Sequence, residues 1–217
     1  MYNLKKGLNI PISGSPEGTV SDSTKISHVG ILGPDYIGMK PTMMVEVGDQ
    51  VKIGSVLFED KKNPGVFFTS PAGGLIKSIN RGEKRRFISI EIEVADQENQ
   101  VEILNDSDEI LLRNLSKYGV INNFRTRPFN KTPKPNDIPN DIFVNVCDTN
   151  PLSVDPYIYL QHEIDLFNRS LMKLKEIFNC NIHVCYQNND FNNFIDGINY
   201  YNFNGPHPAG LSGTHIP

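Results

Sequence analysis

The residues here whose types could carry chemistry are three cysteines, five histidines, a lysine pair and a loop rich in glycine and proline. Cys180 and Cys185 have four residues between them and Cys147 lies far upstream, a spacing that fits no zinc or iron–sulfur pattern. Three thiols cannot build a disulfide framework and fit a reducing compartment. Cys147 and Cys185 fall near the ends of two strand-like runs and read as neighbouring buried hydrophobes. His28, His162 and His183 are isolated, and His162 has no second ligand at helical spacing. No G-x-S-x-G nucleophile turn and no P-loop occur. Catalytic, cofactor-binding and metal-ligating residues are therefore all expected to be absent.

Two segments stand above this background. Gly205–Pro217 reads GPHPAGLSGTHIP, a loop shaped to pack on a partner or ligand, with His207 and His215 as polar handles on a path bent by Pro208, Gly210 and Gly213. The chain stops there with no helix cap or strand end in view, which reads as a truncated or excised product. Val47–Ile79 carries V-G-D-x-V, G-x-x-L and S-P-x-x-G-x-I, the frame of a biotinyl/lipoyl-like barrel-sandwich hybrid. Glu59-Asp60-Lys61-Lys62 imitates a lipoylation site, so a carrier modified on Lys61 or Lys62 is the competing reading. Lys61 follows Gly54 too closely to sit at the symmetric tip, however, and Asn63-Pro64-Gly65 makes the better turn.

Two basic groups could meet partners. Arg81, Arg85 and Arg86 belong to RGEKRR, read as a solvated hairpin tip or as a contact to a partner protein or to anionic lipid headgroups. Arg125 and Arg127 flank a proline-rich connector and suit interface ion pairs.

The elements that position these residues change character along the chain. Through residue 100, short strand-like runs alternate with glycine turns, as in a sandwich or barrel. In Phe87–Val94 the alternation puts Ile88, Ile90, Ile92 and Val94 on one buried face. Asp106 with Glu109 caps a helix that Gly119 closes, and four prolines mark Thr126–Asn140 as an extended connector. Residues 141–217 read β–α–β: a strand at Asp141–Asp148, one helix of about six turns started by Asp155 and Pro156, then strands at Asn181–Tyr186 and Ile198–Phe203. The fold class is thus mixed, a β domain (1–100), a connector (101–140) and a Rossmann-like α/β domain (141–217). A Rossmann half needs a glycine-rich turn after its first strand, whereas CDTNPLSVDP has none. A soluble NAD-binding oxidoreductase built on this half is a third, less supported reading.

Composition sets the remaining bounds. Lys and Arg number 21 against 25 Asp and Glu, a net charge of −4 that argues against nucleic-acid binding. Hydrophobic residues make up 38% and charged residues 21%, as in a soluble folded chain. No 18-residue apolar stretch occurs, and Met1–Ile12 lacks the apolar run of a secretory signal. Asparagine appears 24 times and alanine three times, a drift that discounts any single Asn as a functional signal.

GLNIPISGSPE (Gly7–Glu17), GMKPTM (Gly38–Met43), LFEDKKNPGVFFTSPAGG (Leu57–Gly74), INRGEKR (Ile79–Arg85), FRTRPF (Phe124–Phe129), CDTNPL (Cys147–Leu152) and GPHPAGLSGTHI (Gly205–Ile216) resemble, in order, the A-subunit family of the bacterial Na+-translocating NADH:quinone oxidoreductase. Members are about twice as long, and the resemblance covers their N-terminal half. It implies a peripheral component on the cytoplasmic face of the inner membrane, docked on integral membrane subunits of a sodium pump. It implies that the complex uses FAD, FMN, riboflavin and an iron–sulfur centre to reduce ubiquinone, with no redox cofactor in this chain. It further implies a structural role with a part in quinone access, and a fold related to the NADH-binding component of respiratory complex I without its flavin loop.

Overall fold

The computed structural model describes residues 1–21, 24–95, 99–101, 114–187 and 191–216. They form two compact units, Thr24–Asp137 and Met1–Ser23 with Ile138–Pro217. No helix among the described residues is long and apolar enough to cross a membrane.

The first unit holds two antiparallel sheets. One has the order β2 (His28–Leu32), β8 (Phe87–Val94), β7 (Gly74–Arg81), β4 (Gln50–Val51), and the other β3 (Pro41–Met43), β5 (Val56–Asp60), β6 (Phe67–Thr69). Their inner faces meet in a core of Val51, Leu57, Phe58, Val66, Phe68, Ile76, Phe87, Ile90, Ile92 and Ile121. Phe58 is its centre, stacked on Phe68 at 4.6 Å and edge-on to Phe87 at 5.1 Å.

The expected alternation of β8 holds only in part. Ile90 and Ile92 are fully buried, but Ile88 is 37% exposed and Phe87 is buried in its place. The register with β7 explains this: Asn80 pairs with Ser89 and Arg81 with Phe87, so Ile88 is the extra residue of a β-bulge. A bulge shifts the face on which later side chains emerge. The helix expected over 106–119 lies outside the described residues through 113. Its last turn, 114–117, is helical and ends on Gly119 at φ +73°, a left-handed stop that glycine adopts without strain.

The second unit is a parallel sheet in the order β1 (Tyr2–Asn3), β11 (Asn199–Asn204), β10 (Asn181–Tyr186), β9 (Asp141–Val146). The first residues, read from sequence as the opening of the β domain, thus supply the edge strand of the α/β layer. Their backbone pairing with Phe203 and Asn204 decides this. Between β9 and β10 the Asp155 side chain accepts a hydrogen bond from Tyr157 N–H at 2.9 Å and caps the helix begun by Pro156. The single six-turn helix expected from the apolar stripe is broken. α1 (Pro156–Leu160) passes through a 3-10 turn at Gln161–Glu163 into α2 (Ile164–Phe178), which ends on left-handed Asn179. α2 packs on β10, burying Leu171 and Phe178 with Ile142, Ile182 and Val184.

Phe58→Ala should lower the stability of the β unit by about 3–5 kcal/mol in urea unfolding, because a full aromatic volume is lost from a closed core. Ile88→Ala should cost under about 1 kcal/mol, since the bulge leaves that side chain partly in solvent.

Candidate functional site

Parallel α/β sheets present their ligand sites beyond the carboxyl ends of the strands. A cavity of about 450 Å³ lies there, at the ends of β9, β10 and β11. It is lined by Leu8, Asn9 and Ile10, by the turn from Cys147 to Pro156, and by Gln187, Gly205 and His207. Three of the segments that carry the sequence resemblance therefore converge on one place.

Thr149 ties them together. Its hydroxyl accepts from Gly210 N–H at 2.9 Å and lies 3.1 Å from His207 Nδ1. His207 Nδ1 is also 3.1 Å from the Thr149 carbonyl, and since a carbonyl only accepts, Nδ1 carries the proton. Asn145 Nδ2 donates to the Gly210 carbonyl at 3.0 Å. A Cβ on Gly210 would come within 2.5 Å of Thr149 N, so only glycine allows the two backbones to approach. On the other side, His207 N–H donates to Asn9 Oδ1 at 2.9 Å and its carbonyl accepts from Leu8 N–H at 2.9 Å.

The electrostatics of the lining are one-sided. Asp148 and Asp155 contribute carboxylates, and among the described residues the lining contains no lysine or arginine. Asp148 Oδ1 accepts from both the backbone N–H and the side-chain amide of Asn150 at 2.8 Å. The first backbone donor of α1 is taken by Asp155, and Pro156 has none.

The five residues read from sequence as a ligand or partner loop have separate roles. His207 lines the cavity. Pro208 and Gly210 set the path of the loop, the Pro208 carbonyl accepting from Leu211 N–H at 2.9 Å and from Thr214 Oγ1 at 3.0 Å. Gly213 lies in α3 (Ser212–His215) with open space around it. His215, expected to be a polar handle, is instead buried: its ring lies 4.1 Å from that of Phe203, and Nε2–H donates to the Ala209 carbonyl at 2.6 Å. Burial holds its pKa below the ordinary 6.5. The Cys147 thiol donates to the Cys185 carbonyl at 3.3 Å, and burial pushes Cys147 up to about 12 and Cys185 up to about 11. Both are inert at neutral pH. Sequence reasoning passed over Thr149, Asn145 and Asn9. Thr149 and Asn145 stand at a strand end, the one signal that could have found them.

In the β unit, the two lysines of the carrier reading sit on a turn held by buried Asp60. Its Oδ1 accepts from the N–H groups of Lys40 and Lys62, and its Oδ2 from Asn63 Nδ2. Lys62 Nζ donates to the Gly38 carbonyl at 2.7 Å, so that amine has a structural use. Arg125 donates to the carbonyls of Asn122 and Phe124 and lies over the Tyr36 ring at 5.5 Å. Burial raises the Tyr36 pKa, and the adjacent guanidinium offsets part of that rise. Arg127 is exposed, as are Arg81, Arg85 and Arg86.

Comparison with known proteins matches residues 2–95 to the NqrA N-terminal barrel-sandwich hybrid domain and residues 106–217 to the NqrA second alpha/beta domain. Curated relatives named as the A-subunit of the Na(+)-translocating NADH-quinone reductase are 45% identical in Yersinia pseudotuberculosis serotype O:1b over 225 residues, 46% in Neisseria meningitidis serogroup B over 230 residues and 44% in Pasteurella multocida over 225 residues. Each match covers 100% of this chain and 50% of the relative, so the chain spans half the length of the curated relatives it matches.

Thr149→Val should destabilise the α/β unit by about 1–3 kcal/mol in urea unfolding, because Gly210 N–H loses its acceptor in a part-buried setting. The depressed pKa of His215 fixes the sign of a pH effect. Below 6.5 the unfolded chain binds a proton that the folded chain resists, so this contribution is present above 6.5 and lost as pH falls through it. Unfolding free energy should decline as pH falls below 6.5, and His215→Gln should flatten that part of the profile.

Proposed function

The chain belongs to the NqrA family of the Na(+)-translocating NADH-quinone reductase, and from that premise we propose that it serves as a scaffold of such a respiratory sodium pump. In this reading it docks peripherally, on the cytoplasmic face of the bacterial inner membrane, against integral membrane subunits. It carries no redox group of its own. Electrons from NADH pass through flavins and an iron–sulfur centre held by other subunits to ubiquinone, and this chain shapes that route or the access of quinone.

The observation that carries the cofactor-free reading is the character of the cavity at the strand ends. A dinucleotide would bring its pyrophosphate to the β9–α1 turn, where glycine backbone and a helix N-terminus normally receive it. Here that turn has no glycine, its helix donor is taken by Asp155, and two carboxylates line the cavity with no lysine or arginine among the described lining residues. The chain's own 205–210 loop and Leu8–Ile10 complete the walls.

Two measurements test this reading. Titration calorimetry with NADH and with FMN should give no heat of binding to the purified chain, and micromolar affinity for either would overturn the cofactor-free assignment. The purified chain, added to detergent-solubilised reductase from cells lacking NqrA, should co-migrate with the remaining subunits. Failure to associate would overturn the scaffold assignment.

A further inference from the structure

Residues 81–86 read Arg-Gly-Glu-Lys-Arg-Arg, four cations and one carboxylate in six residues of a chain whose net charge is −4. They form the tip of the β7–β8 hairpin, a 3-10 turn over Glu83–Arg85. Three backbone hydrogen bonds lock it: Gly82 N–H to the Arg86 carbonyl at 2.8 Å, Arg85 N–H to Gly82 at 3.1 Å, and Arg86 N–H to Glu83 at 3.1 Å. Lys84 and Arg85 stand consecutively in the left-handed region, at φ +53° and +60°. Each bears a steric cost there that glycine or asparagine would largely avoid. The turn thus holds two cationic side chains at positions its backbone alone does not call for.

Those side chains are exposed, and among the described residues none of Arg81, Lys84, Arg85 or Arg86 is in an ion pair. Only Arg81 is engaged, weakly, through Nη1 to the Arg85 carbonyl at 3.4 Å. Aliphatic surface adjoins them. Ile88, extruded by the bulge and 37% exposed, lies over Gly82, where an added Cβ would meet its Cδ1 at 3.1 Å. Leu32, 50% exposed, ends β2 opposite Ser89.

We infer that this hairpin tip is a membrane-docking element that binds the anionic headgroup surface of a lipid bilayer, its cations on the phosphates and Ile88 and Leu32 at the acyl boundary. Cations beside exposed aliphatic side chains suit the interface between headgroups and chains. An acidic protein face, with carboxylates at fixed points, would favour arginines held in place by neighbours. Lys84, Arg85 and Arg86 are free to follow mobile headgroups. The inference stands apart from the pump reading, since the isolated chain needs no other protein to show it.

The test is co-sedimentation of the purified chain with vesicles of phosphatidylcholine alone and of phosphatidylcholine mixed with phosphatidylglycerol. The chain should pellet with the mixed vesicles only, and added salt should release it. Neutralising one cation should weaken partitioning about fivefold, and the triple variant Lys84→Gln, Arg85→Gln, Arg86→Gln about a hundredfold. Lys84→Arg should bind as the parent does, and Ile88→Ser should weaken binding at unchanged charge. A second neutral variant, Lys84→Asn with Arg85→Gly, fits the left-handed turn and should weaken binding about twenty-fivefold while melting no lower than the parent. Binding to neither vesicle would overturn the inference and leave the tip to an acidic protein. Equal binding to both, or binding untouched by the triple variant, would overturn it as well.

Discussion

The contact between Thr149 and the 205–210 loop is the constraint on which the α/β unit turns. Two backbones approach so closely that position 210 must lack a side chain, and one hydroxyl then serves both the Gly210 amide and the His207 ring. That contact closes the carboxyl ends of the sheet and gives Asn9 and Leu8 their partner at residue 207. Without it the cavity would have no fixed wall, and the buried ring of His215 would lose the Ala209 carbonyl that accepts from its Nε2–H.

The β unit depends on a different device. Its core is aromatic, with Phe58 between Phe68 and Phe87, and Phe87 reaches that position only because Ile88 is extruded. A strict two-residue period would place Ile88 inside and Phe87 outside. One irregular pair thus moves an aromatic ring into the core and leaves an aliphatic side chain beside a basic tip.

Much of this architecture was legible in the sequence. The glycine-punctuated strands marked the sandwich, Asp155-Pro156 marked a helix start, and the apolar runs at 141–146 and 181–186 marked two parallel strands. What was missed has physical reasons. Register between strands depends on partners distant in sequence, so the bulge at Ile88 was invisible to an alternation rule. A continuous apolar stripe does not reveal a 3-10 turn at 161–163, because the stripe survives the change of pitch. At the site, Gly210 and His207 were visible as types but their partner Thr149 was not, since its role comes from a tertiary contact across 61 residues. His215 was misread because burial turns a titratable ring into a packing group.

The pairing of β1 with β11 joins residues 2–3 to residues 203–204, and the whole β unit is contained within the chain between them. The β unit is therefore an insertion in the α/β unit. As the polypeptide leaves the ribosome, residues 24–137 hold everything their own core requires and can consolidate early. β1 must wait for its partner β11, about 200 residues later in the chain, before it can pair. Until then β1 and the backbone of Leu4 and Leu8 lack the partners at residues 203–207 that they have in the folded unit.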